Sequence, residues 1–158
     1  MEETKMETIK ASEMDLGVVR EITQSTIDAV YPKYYPQGAV AFFKHHHNDE
    51  NILADIRAGI VYLLRDEGEL VGTVTVKGND INRLFVLPNC QHKGYGRFLL
   101  DFAENEIRKN FDEIMLDASL PAKRIYLKRG YREVEYNQIE TPNGDFLCFD
   151  LMRKTFEA

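Results

Sequence analysis

The stretch Leu87–Ile107, "LPNCQHKGYGRFLLDFAENEI", decides how the rest of the chain is read. Pro88 closes an apolar run, because proline has no N–H to give a ladder. Beyond it, Phe98, Leu99, Phe102, Ala103 and Ile107 share one helical face, which predicts a helix over residues 94–109. Gly94 and Gly96 stand at its opening. A helix start carries unpaired N–H groups and the positive end of the helix dipole, so it suits an anion. Glycines remove the Cβ atoms that would hold a bulky phosphate off the backbone. His92, Lys93 and Arg97 add charge around them, and the constellation fits a pyrophosphate. It is not a P-loop, since Arg97 and Phe98 follow the last glycine where Lys and Ser/Thr are needed. It is not a dinucleotide fingerprint either, since Leu99 stands where a third glycine belongs.

Working outward, Glu7–Ser12 reads as a strand. Ser12 followed by Asp15 gives a capping signal for a helix over 13–30, with Leu16, Val19, Ile22, Ile27 and Val30 at helical spacing. "YPKYYPQG" breaks that helix, and a second helical region follows over residues 37–58, in two pieces around His47 to Asp49. Ile60–Asp66 and Leu70–Gly78 read as an antiparallel hairpin across "EGE", and Ile81–Pro88 as a third strand. Glu113–Ser119 is a buried strand. Pro121 opens a short helix that stops at Gly130. Residues 131–141 and 145–153 are strands joined by "PNG". The order predicts an α+β fold: a single mixed, mostly antiparallel sheet flanked by helices, in one domain spanning residues 1–158.

Composition agrees with an ordinary globular chain, 44% hydrophobic and 29% charged. A net charge of −6 argues against a general nucleic-acid binder. No stretch is long and apolar enough for a membrane helix, and the charged start does not read as a secretory signal, so a cytoplasmic location is expected. Two cysteines, Cys90 and Cys148, are expected as free thiols. The run His45–His47 does not read as a metal site: neighbouring helical side chains point about 100° apart and do not converge on one ion.

"VLPNCQHKGYG" (Val86–Gly96) resembles the acetyl-CoA signature of the GNAT N-acetyltransferases, with Gln91, Gly94 and Gly96 in the defining positions. "SLPAKRIYLKRGY" (Ser119–Tyr131) is similar to that family's second segment, in which a tyrosine precedes a Gly-Phe/Tyr pair. The resemblance implies acetyl-CoA as co-substrate, no metal, and acetyl transfer to a primary amine by direct attack in a ternary complex. It implies that Leu84, Phe85 and Val86 pair with the pantetheine arm through their backbone. His92, Lys93, Gly94, Tyr95, Gly96 and Arg97 would hold the pyrophosphate, with Gln91 in the same loop. Ser119 stands where many relatives carry a cofactor-contacting asparagine, and Lys123, Lys128 or Arg129 would reach the 3′-phosphate or adenine.

The backbone N–H of Phe85 or Val86 is the expected oxyanion donor, and Tyr126 the expected acid for the leaving thiolate. Asp80 and Asp117 are the carboxylates near the reaction, although strand alternation raises the expectation that Asp117 points away from the acceptor. Tyr31, Tyr34, Tyr35, Phe42, Phe43 and Tyr136 are expected to line the acceptor pocket, for a small-molecule or protein amine. A homodimer is compatible with the resemblance. Two other readings stay open at this point: a CoA-binding sensor of the same fold without turnover, and a nucleotide-phosphate binder unrelated to CoA.

Overall fold

The structure, a computed structural model, describes residues 6–156. The chain runs β1 (Met6–Lys10), α1 (Leu16–Val30), α2 (Gln37–His46), α3 (Asp49–Arg57), β2 (Val61–Asp66), β3 (Glu69–Lys77), β4 (Asp80–Val86), α4 (Tyr95–Arg108), β5 (Glu113–Ser119), α5 (Leu120–Lys128), β6 (Arg132–Glu140) and β7 (Phe146–Thr155). This is the α+β arrangement that the periodicities predict. Local chemistry sets the boundaries. The Ser12 N–H donates to the Asp15 carboxylate at 2.8 Å, and a 3₁₀ turn over Glu13–Asp15 leads into α1. Asn48 accepts from the Asn51 N–H at 2.8 Å, which caps α3 and divides the second helical region at the expected place. Glu67 and Gly68 both have positive φ, 51° and 84°, as a two-residue type I′ hairpin requires.

The strands form two antiparallel ladders, β1-β2-β3-β4 and β5-β7-β6. They meet where β4 and β5 begin. The Met115 N–H donates to the Asn79 carbonyl at 3.1 Å, and Asn79 Nδ2 donates to the Glu113 carbonyl at 3.3 Å. Among the described residues no ladder continues from there, so the sheet expected as one is split between β4 and β5. A bulge accompanies the split. Thr73 pairs with Phe85 and Thr75 with Asn82, so Val74 alone faces both Arg83 and Leu84. Arg83 takes the left-handed conformation, φ 46°, and a bulge of this kind bends its strand.

Both faces of the sheet are covered. On one, α4 lays Leu99, Leu100, Ala103 and Ile107 against Leu64, Val74, Ile114, Leu116 and Met152. On the other, Val19, Ile22 and Ile27 of α1 and Ile52 and Ile56 of α3 pack with Val61, Leu63 and Phe85. Adjacent Leu63 and Leu64 enter opposite cores, as strand alternation dictates. Each fully buried large aliphatic side chain contributes about 1.5–3 kcal/mol. Glu104 ties α4 to its surroundings, accepting from Arg129 Nε at 3.0 Å, Lys154 Nζ at 2.9 Å and the Tyr131 hydroxyl at 2.9 Å.

Candidate functional site

Two hollows flank the split. A groove of about 730 Å³ runs along the end of β4, the loop after it, the start of α4 and α5. A pocket of about 260 Å³ lies between β4, β5, β7 and the end of α2. They share one wall: Tyr31, Leu84, Phe85, Ser119, Ala122 and Tyr126 border both.

The groove gathers most of the residues singled out in the sequence: Leu84, Phe85, Val86, Gln91, His92, Gly94, Tyr95, Gly96, Arg97, Ser119 and Tyr126 all border it. Gly94 is the N-cap of α4 with φ 88°, a left-handed conformation that side chains resist. A Cβ there would meet nothing within 4 Å, so this glycine is required by the backbone turn, and the space above it stays open. At Gly96 the only neighbour of a Cβ is Val86 Cγ2 at 4.0 Å, so the first turn of α4 faces open space too. The loop is braced from below. Gln91 Nε2 donates to the Val86 carbonyl at 3.1 Å, and the Tyr95 hydroxyl donates to the Asp66 carboxylate. Arg97, Lys128 and Arg129 border the groove, and Arg129 is already paired with Glu104 and Asp101. Lys93 and Lys123 do not border it. Lys93 is exposed, and Lys123 faces the other side of α5, paired with Asp150 at 2.9 Å and Glu133 at 3.4 Å.

Backbone donors on β4 follow from its register. The Leu87 N–H donates to the Val71 carbonyl at 2.9 Å. Pairing then alternates, so Phe85 opposite Thr73 spends its N–H in the ladder, and the Val86 N–H points off the strand's free edge. The Val86 carbonyl agrees, since it accepts from Gln91 Nε2 and from Thr26 Oγ1 at 3.1 Å instead of from β3. Of the two N–H groups expected as oxyanion donors, that of Val86 is free among the described residues and that of Phe85 is not. Phe85 places its ring in the wall instead.

Tyr126 is 5% exposed, packs edge-on against Tyr131 at 5.2 Å, and has no hydrogen-bond partner for its hydroxyl among the described residues. Burial, with Tyr31 and Asp80 nearby, pushes its pKa far up, so the phenol stays protonated. Tyr31 donates to Ser119 Oγ at 3.3 Å across the split, and its ring meets Phe43 edge-on at 4.7 Å.

The pocket holds both carboxylates expected near the reaction. Asp80 of β4 and Asp117 of β5 both border it, and neither forms an ion pair among the described residues. Alternation along β5 buries Ile114, Leu116 and Ala118 in the core and turns Asp117 to the same side as Ser119, so Asp117 faces the pocket and not away from it. Burial, then the charge of Asp117, pushes the Asp80 carboxyl up to about 7, with Lys77 opposing. Burial likewise raises Asp117, against His46. His47, 5% exposed, is kept neutral: burial, then Arg83, lowers its pKa to about 3, and its Nδ1 is unpartnered among the described residues. Arg83, 5% exposed, gives its terminal nitrogens to Asp55 at 3.0 Å and Thr75 at 2.9 Å, and its Nε is unpartnered.

Of the aromatics expected here, Tyr31, Phe42 and Phe43 line the pocket. Tyr34 and Tyr136 are exposed at 50% and 58%, and Tyr35 is buried with its hydroxyl accepting from the Leu120 N–H at 2.7 Å. Phe149, Leu147 and Ile139 stand in their place, brought in by the final hairpin. Both cysteines are free thiols. Among the described residues no group of three or more His, Cys, Asp or Glu is placed to hold a metal ion, and no helix is long and apolar enough to cross a membrane.

A family model described as an acetyltransferase (GNAT) domain matches residues 30–155. The chain is 24% identical over 146 residues to an uncharacterized N-acetyltransferase from the pepI 3′ region of Lactobacillus delbrueckii subsp. lactis, covering 80% of this chain and 84% of that one. A GCN5-related N-acetyltransferase from Rhodopseudomonas palustris superposes with a TM-score of 0.87 at 22% identity, covering 99% of both chains. The putative acetyltransferase YncA of Salmonella typhimurium, solved with acetyl-CoA, superposes with a TM-score of 0.72 at 17% identity over 98% of this chain and 95% of that one.

Proposed function

The chain belongs to the acetyltransferase (GNAT) family, and from that premise we propose that it transfers an acetyl group from acetyl-CoA to a primary amine in a ternary complex. The shared wall carries this reading. A groove suited to a long phosphorylated ligand and a small polar pocket meet only at Tyr31, Leu84, Phe85, Ser119, Ala122 and Tyr126. A donor in one and an acceptor in the other touch there and nowhere else.

In this reading the pyrophosphate lies over the N-terminus of α4, against main-chain N–H groups from His92 to Arg97, with the Arg97 charge beside it. The pantetheine arm takes the free edge of β4 at Leu84 and Val86, as an added strand would. The role expected of Lys123 passes to Lys128 and Arg97, which border the groove without an ion pair among the described residues.

The reaction follows from Tyr126 at the wall, Asp80 in the pocket and Val86 in the groove. The amine nitrogen attacks the thioester carbonyl carbon and its proton passes to Asp80, whose raised pKa suits a base working near neutrality. The Val86 N–H donates to the developing oxyanion. The C–S bond breaks and the leaving thiolate takes the Tyr126 proton. Burial of Tyr126 keeps that proton in place until the thiolate forms.

The test is thiol release from acetyl-CoA over a panel of amines, with CoA titrated by calorimetry alongside. Turnover with at least one amine, dependent on Tyr126, is the expected result. CoA binding without thiol release from any acceptor overturns the transfer reading in favour of a sensor.

A further inference from the structure

We infer that the acceptor is a short aliphatic diamine or polyamine, one nitrogen of which is acetylated while a second stays cationic against Asp117. The inference rests on the transfer reading above and names its substrate class. The charged and titratable groups bordering the pocket are Asp80, Asp117, Arg83, His46 and His47. Arg83 is neutralised by Asp55 at 3.0 Å, and His47 is uncharged. Burial, then Arg83, lowers the His46 pKa and disfavours its charged form, so two carboxylates with no ion-pair partner among the described residues set the charge of the pocket, with Lys77 near Asp80 but forming no ion pair with it. The unpartnered Nδ1 of neutral His47, a side chain 95% buried by its 5% exposure, adds an acceptor for an N–H donor.

One carboxylate suffices to take the proton that acetyl transfer releases. The product is an uncharged amide, so a monoamine leaves Asp117 unpaired before and after the reaction. A second ammonium gives Asp117 a partner that chemistry does not consume. Between the ends, Phe42, Phe43, Tyr31 and Phe149 offer apolar faces to methylene groups and ring faces to a cation. A carboxylate at the far end of the acceptor would instead face Asp80 and Asp117. Arg83 Nε, unpartnered among the described residues, favours such an end, which makes a carboxylate-terminated amine the natural counter-probe.

Putrescine, n-butylamine and γ-aminobutyrate share a four-carbon spacing and differ at the far end: cation, methyl, carboxylate. With saturating acetyl-CoA, putrescine is expected to exceed n-butylamine in kcat/KM by about tenfold or more, through KM, with γ-aminobutyrate weakest; an exchange of this size is about 1.4 kcal/mol. Asp117→Asn is expected to bring the putrescine-to-butylamine ratio towards one. Calorimetry of the same three amines on the CoA complex reads the preference without turnover. Asp117-dependent putrescine binding with no thiol release supports the acceptor class and overturns the transfer reading. Equal kcat/KM and equal binding for putrescine and butylamine, a preference for γ-aminobutyrate, or a ratio unchanged in Asp117→Asn overturns the inference while thiol release upholds transfer.

Discussion

Replacing Asp80 with asparagine separates function from stability in one residue. In the folded chain half-burial, then the charge of Asp117, pushes its carboxyl up to about 7, against 3.8 for the ordinary group. As a base it works ionised, so kcat/KM of the native enzyme is expected to rise with pH and level off above about pH 7. Asp80→Asn should lower kcat about 100- to 10,000-fold and remove that inflection. The stability effect has the opposite sign. The unfolded chain loses this proton at lower pH than the folded one, so ionising Asp80 costs stability as pH rises from about 4 to about 7. The difference of about three pH units corresponds to at most about 4 kcal/mol. Asparagine carries no such cost. Urea unfolding should therefore find the variant more stable, by a margin that grows between about pH 4 and about pH 7 and levels off above it. A variant that turns over at the native rate with the same inflection, or whose stability gain does not grow with pH, refutes the assignment of Asp80 as a buried, functional base.

Tyr126→Phe should cut kcat by about ten- to a thousandfold with little change in the KM for acetyl-CoA, since only the proton donor is lost; full turnover in a steady-state assay contradicts the role. Gly94→Val should weaken CoA binding by about tenfold or more in calorimetry, because a branched side chain at φ 88° is strained by about 1–3 kcal/mol and stands where the phosphate is proposed to lie. Asp55→Ala should destabilise the chain by about 3–5 kcal/mol in urea unfolding, since it strands the Arg83 guanidinium, whose side chain is 2% exposed. The double change Arg83→Met with Asp55→Ala should cost less than Asp55→Ala alone.

Local pattern made much of this protein legible in one dimension. The amphipathic stripe of α4, the turn at Glu67–Gly68, the Asn48 cap and the stop at Gly130 are each written by neighbours a few residues apart, and each lies where the spacing puts it. So are the glycine turn and the tyrosine segment, whose residues the fold brings to one groove. Other features rest on contacts far apart in the chain. Lys123 is turned from the groove by Asp150 and Glu133, partners that no spacing near residue 123 announces. The choice between Phe85 and Val86 as the free donor depends on which N–H groups the β3 register consumes. The bulge at Arg83 is held by Asp55, 28 residues away. Asp80 acquires its raised pKa because the split between β4 and β5 leaves it half-buried with the more exposed Asp117 on the same pocket. Sequence thus determined the elements, their order and the glycine turn that opens α4, since those follow from backbone geometry and short-range periodicity. Only the tertiary structure decided which donors are free and which acids share a charge, because hydrogen-bond competition and desolvation are properties of packed neighbours.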